Sequence, residues 1–176
     1  MADPFPRGGL TALLSGGDRR SIGRAADAVE RVLANPDLLA ELIGGMDSDD
    51  PVLAMRCADV AEKVTREHPD WLAPWRAALL GALMANPQQE VRWHLAAMLP
   101  RLTLDATQAA RVMQWLVDAT QDRSSIVRAS AMQGMADLSR NHPRHATEAR
   151  RHIEELTLVG SPAMRARGRR LLRQMS

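Results

Sequence analysis

Three groups of side chains in this 176-residue chain have the types and spacing to do chemistry. In "HPRHATEARRHIEE", His145 and His152 stand seven residues apart, with Glu148 and Glu155 beside them. Imidazoles on one helix face with neighbouring carboxylates are potential metal ligands, but a bound ion needs at least a third convergent donor. There is no His-Glu-x-x-His, and the single cysteine, Cys57, is distant in the chain. No metal site and no cofactor are expected. Glu154 and Glu155 are adjacent and point in different directions on a helix, so they do not form a general acid/base pair. Neither a Gly-x-Ser-x-Gly nucleophile turn nor a Gly-rich phosphate loop is present; "SGG" and "IGG" are turns. The chain reads as non-enzymatic.

The second group is Trp93, His94 and Arg101, with His94 and Arg101 seven apart. An aromatic anchor beside an imidazole and a guanidinium suits a peptide that carries an acidic residue, and tryptophan is enriched at binding hot spots. The third group is a pairing that recurs. Asp18 precedes Arg24 by six residues, Asp50 precedes Arg56, Asn86 precedes Arg92, Asp122 precedes Arg128, and Ser161 precedes Arg167. One such pair could be catalytic. Five at intervals of 32, 36, 36 and 39 residues read as architecture. Internal repetition at this period is the signature of stacked helix pairs.

The elements that carry these residues follow from local chemistry. Asp, Asn and Ser are preferred helix N-caps, because their side-chain oxygens accept bonds from unpaired backbone N–H groups. Pro51, Pro87 and Pro162 follow three of them, in the first helical position, where a missing N–H costs nothing. Apolar stripes come next at helical spacing: Val91, Leu95, Met98, Leu99 and Leu102, then Val127, Ala131, Met132, Met135 and Leu138. Further helices lie between. "HPDWLAPWRAALLGALMA" places Trp71 and Trp75 on an apolar stripe, as core residues, and "LDATQAARVMQWLVDAT" places Ala109, Val112, Met113 and Leu116 on another. Short polar turns such as "DSDDP" and "TQDRSS" fit antiparallel neighbours. The aspartate and arginine positions then become structural, a cap carboxylate at one turn pairing with the arginine of an adjacent unit to make a ladder. Its members are Asp18, Arg24, Asp50, Arg56, Asn86, Arg92, Asp122 and Arg128.

This arrangement resembles the HEAT repeat family. Pro74 within a first helix, Asp50, Asn86 and Asp122 in the turns, and "EVR" at 90–92 and "IVR" at 126–128 carry the resemblance, with "AMR" at 54–56 a looser match. It covers roughly residues 10–176, after an N-terminal tail at 1–9. The units are about 10–34, 36–67, 69–102, 104–141 and 143–176. The resemblance implies first helices on a convex side and second helices on a concave side. The fold expected is all-α, a right-handed solenoid of about five stacked antiparallel helix pairs. With the repeated arginine as register, the positions two further on are Ala26, Ala58, His94, Ser130 and Arg169. The positions six further on are Glu30, Glu62, Met98, Gly134 and Arg173. The expected concave binding surface is drawn from these and their neighbours: Trp93, His94, Met98, Arg101, Ser130, Arg169 and Arg173.

Composition agrees with a folded helical chain. Hydrophobic residues make up 45%, and the chain has ten Met, four Trp, one Phe and no Tyr. Alanine, leucine and methionine are good helix formers. The net charge is only +2, but residues 140–176 hold nine Arg against three Glu. A basic end on an acidic body steers partners of either sign. Two alternatives to a protein-binding scaffold or adaptor therefore stand. One is nucleic-acid binding through the basic C-terminal helices, weak because an electrostatic grip needs a continuous basic track. The other is an accessory subunit of an enzyme complex. One cysteine makes no intramolecular disulfide, "MADPFPRGGL" is no secretory signal, and no stretch approaches a membrane span. A cytoplasmic protein with no membrane partner is expected; the oligomeric state is left open.

Overall fold

The computed structural model describes residues 9–16 and 24–175. Asp18 and nearly all of the 1–9 tail lie outside the described residues. Among those described there are helices and turns and no strand. Ten α-helices run in order: α1 Leu10–Leu14, α2 Ala25–Ala34, α3 Leu39–Gly45, α4 Pro51–Glu67, α5 Arg76–Ala78, α6 Gln89–Met98, α7 Ala106–Ala119, α8 Ser125–Asn141, α9 Ala146–Val159 and α10 Pro162–Gln174. The chain divides into two compact units, Met1–Trp71 and Leu72–Ser176.

In the first unit, α3 and α4 pack as a pair and α2 packs on α4. Asp50 caps α4, its Oδ1 accepting from the Val52 N–H at 2.9 Å, with Pro51 in the first helical turn. Leu14, Ala28, Val32, Leu42, Met46 and Ala61 are fully buried here. Cys57 is buried with them, and burial, reinforced by Glu41, pushes its thiol up to about 12. The thiol is a packing group with no thiolate to offer.

In the second unit, α7 pairs with α8 and α9 with α10, while α8 packs against both α6 and α10. The stripes Val91–Leu95–Met98–Leu99 and Val127–Ala131–Met132–Met135–Leu138 are fully buried and form its core, with Val112, Leu116 and Ile153. α7 begins with a reciprocal capping box between Asp105 and Gln108. The approach of α8 to α6 is set by Gly134. A Cβ there would stand 2.5 Å from the Ala96 carbonyl oxygen and 2.7 Å from Leu116 Cδ2, so only glycine admits this spacing. Gly168 of α10 is likewise closed in by Thr157 and Met132.

Three expectations need correction. "HPDWLAPWRAALLGALMA" is not one α-helix. Pro69–Trp75 is a 3₁₀ segment, and after α5 the helical path breaks at Gly81, with φ −100° and ψ −112°. Pro74, inside the segment, removes a backbone donor that an α-helix would use and clashes with the preceding turn. Trp71 and Trp75 are consequently half-buried and not core, with Trp71 stacked on His68 at a centroid distance of 4.2 Å. The third correction concerns caps. α6 begins after Gln88 and α8 after Ser124, two residues later than Asn86 and Asp122. Asn86 and Asp122 instead accept from the N–H two residues on, Gln88 and Ser124, each at 2.8 Å. These are Asx turns that lead into the helix.

Candidate functional site

The best-defined polar arrangement joins α6, α7 and the α7–α8 turn. Arg92 Nε donates to Asp122 Oδ2 at 2.8 Å, with about four fifths of each side chain buried. The other carboxylate oxygen of Asp122 holds the Ser124 N–H. Arg128 closes the same turn by donating to the carbonyls of Asp122 at 2.7 Å and Arg123 at 3.2 Å. Above this, the Arg92 guanidinium lies 5.2 Å from the centre of the Trp115 ring. Trp115 Nε1 in turn donates to the Met84 carbonyl at 2.8 Å. One arginine thus joins a carboxylate and an aromatic face, and ties α6 to α7 and to the turn that follows it. Such a shielded charge-assisted contact is stronger than an exposed ion pair.

The other register arginines are also spent on the fold, mostly on backbone. Arg56 is buried and donates to the carbonyls of Leu14 at 2.7 Å and Gly16 at 2.5 Å. Arg167 donates to the Ala129 carbonyl of α8 at 2.9 Å, and burial, then Arg170, lowers its pKa below the usual arginine value. Arg24 differs: it is exposed at the start of α2 and bonds Asp27 within its own turn at 2.7 Å. It bridges no neighbouring unit in this contact.

The residues expected to form the binding surface separate into three sets. Trp93 and His94 are half-buried neighbours on α6, rings tilted at 57° with centroids 5.4 Å apart. Arg101 is half-buried, but α6 ends at Met98 and tightens into a 3₁₀ turn over Leu99–Arg101. Ser130 is half-buried on α8. Met98 is fully buried and is corrected from surface to core. The same holds for the register positions Ala58, Glu62 and Gly134. Arg169 and Arg173 are exposed on α10, at a different place from Trp93 and His94 in sequence and helix.

Sequence reasoning missed Trp115 as a partner of Arg92, Ser124 as the cap of α8, and Gly134 as the contact point of α8. It also missed a shallow pocket of about 300 Å³ lined by Gly81, Met84, Arg111, Gln114, Trp115 and Asp118. The adjacent Ser at 124 was the one visible signal. On α9, His145 Nδ1 faces Glu148 at 3.1 Å and His152 Nδ1 faces Glu155 at 3.8 Å. Each imidazole has its own glutamate, and no group of three or more His, Cys, Asp or Glu gathers among the described residues. No helix among them is long and apolar enough to cross a membrane.

No family model, curated protein or solved structure matches this chain. What the arrangement can do therefore rests on its own geometry.

Proposed function

We propose that this chain is a non-enzymatic protein-binding scaffold or adaptor, a right-handed solenoid of HEAT-like helix pairs that takes an extended peptide or a partner helix on its concave face. The observation that carries the reading is the contrast on α6. Arg92 is committed to Asp122 and Trp115, while the adjacent Trp93 and His94 keep part of their surface in water. An aromatic side chain that is half-buried is already ordered, so a partner gains contact area at low entropic cost. Met98 and Gly134 belong to the packing, which leaves Trp93, His94, Arg101 and Ser130, with Arg169 and Arg173 of α10, as the candidate surface. The proposal includes a cytoplasmic location, supported by the single buried thiol.

Nucleic-acid binding through the C-terminal helices is the second reading, and the unpaired arginines of α10 are what favours it. An accessory role in an enzyme complex is the same scaffold with an enzyme as its partner. Affinity capture from lysate, with and without nuclease, separates these. The expected result is nuclease-resistant protein partners that His94→Ala with Arg101→Ala loses while the melting temperature holds. A variant that keeps its fold and every partner places the binding surface elsewhere. Partners that vanish on nuclease treatment favour nucleic acid.

A further inference from the structure

Solvated helices in this molecule pair their charges along the helix. On α9, Arg150 bonds Glu154 at 2.9 Å and Arg151 bonds Glu155 at 3.0 Å. On α4, Lys63 bonds Asp59 and Arg66 bonds Glu62, both four residues apart. α10 does the opposite. It carries five Arg and no acidic residue. Arg165, Arg169 and Arg173 follow one another at four-residue steps, all exposed, with no ion pair among the described residues. The row rises about 6 Å per step along one side of the helix. Arg170 flanks it, exposed, its Nη2 3.3 Å from the Gln133 Oε1. Like charges four apart destabilise a helix by as much as opposite charges stabilise it, so the free row is unfavourable for α10 itself. Arg165 is worse placed still, near the positive N-terminal end.

A second observation lies at the start of the row. Leu158 and Val159, at the end of α9, are 77% and 83% exposed. Only Gly160 and Ser161 separate them from α10. Two adjacent aliphatic side chains this open, beside the charged row, offer a protein partner apolar contact for which a phosphate backbone has no use.

We propose that the outer face of α10, with Leu158 and Val159 at one end, docks an acidic amphipathic helix of a protein partner. The helix carries Asp or Glu at four-residue steps, which matches the spacing of Arg165, Arg169 and Arg173. Apolar side chains at one end of it cover Leu158 and Val159. This deepens the scaffold reading and rests on it, while adding a surface separate from Trp93 and His94.

The test uses the full chain and a synthetic helical peptide with Glu at three successive four-residue steps and Leu at one end. The control peptide has the same composition with the Glu register scrambled. Binding is measured at about 0.15 M salt, where surface attraction without register is largely screened. The in-register peptide should bind roughly tenfold tighter than the control. Arg165→Gln with Arg169→Gln and Arg173→Gln should lose at least that factor, with an unchanged or higher melting temperature, because the like-charge pairs are gone. Leu158→Ser with Val159→Ser should lose severalfold. Equal binding of both peptides, or a folded triple variant that binds like wild type, overturns the proposal. So does a single-stranded oligonucleotide that binds more tightly than the peptide and displaces it. Capture that still depends on His94 and Arg101 after such a result leaves the scaffold reading standing and removes only this surface.

Discussion

Arg92 on α6 and Arg169 on α10 sit on two helices of the same unit that both pack against α8, and their surroundings are opposite. Arg92 has an aspartate at 2.8 Å, an aromatic face at 5.2 Å and little water. Arg169 has open solvent and like charges four residues away on either side. The chain uses 22 arginines and one lysine, and composition alone treats them as one population. The structure divides them. Those that face a neighbouring turn hold it through carbonyls or a carboxylate, and Arg165, Arg169 and Arg173 on the outer side of α10 make no ion pair among the described residues. Guanidinium chemistry explains the first use, since its planar fork can satisfy several acceptors at once. The outer row has no acidic partner among the described residues, and the proposed acidic helix would supply one.

The sharpest way to break the inner side of this comparison is steric. Gly134→Ala drives a Cβ into the Ala96 carbonyl and Leu116. Overpacking of this kind costs about 1–3 kcal/mol, and we expect the upper end even after the gain in helix propensity, because backbone cannot swing aside. A urea midpoint equal to wild type shows that α6 and α8 are not in contact at that point. Asp122→Ala should follow, at about 2 kcal/mol, by removing the Arg92 pair and the turn bond to Ser124 together. Asp122→Asn separates the two, keeping the turn bond and losing the charge, and should recover part of the loss.

The Asx turns at Asn86 and Asp122 also mark how far the sequence could be read. The pairing of helices along the chain and the buried stripes were legible, because apolar spacing and turn residues report them directly. The start of each helix was legible at Asp50 and Ser161, where proline follows and the side chain caps. At Asn86 and Asp122 the side-chain oxygen binds the N–H two residues on, as at Asp50, but the chain enters the helix later. Local hydrogen bonding is alike in both cases, so residue types alone do not separate a cap from an Asx turn. Met98 and Gly134 were misplaced for a different reason. A repeat register says which positions are equivalent and not which way they face. That direction depends on the neighbouring helix, here on contacts such as Gly134 with Ala96. Of the residues expected at the surface, Trp93, His94 and Arg101 keep partial exposure and Met98 is fully buried.

Smaller effects sharpen the comparison. His142 follows α8, and burial, then His145 and Arg144, lowers its pKa below the ordinary value of about 6.5. The folded state therefore binds this proton less readily than the unfolded chain. The contribution is present above about pH 6.5 and is lost as pH falls through the folded value. Wild type should lose more denaturation midpoint between about pH 7.5 and 5.5 than His142→Asn does, and equal losses assign the slope to other groups. Smallest of all is the effect of the outer row on folding. Each like-charge pair along α10 costs a few tenths of a kcal/mol, so Arg169→Glu should leave the melting temperature unchanged or raise it slightly.

The division of the arginines is tested most directly by two single substitutions measured side by side in urea. Arg92→Ala should lower stability by about 2 kcal/mol, through the bond to Asp122 and the contact with Trp115. Arg169→Ala should leave the midpoint where it is. Equal losses for the two, or a neutral Arg92→Ala, contradict the claim that inward arginines hold the fold together and the outer row of α10 does not.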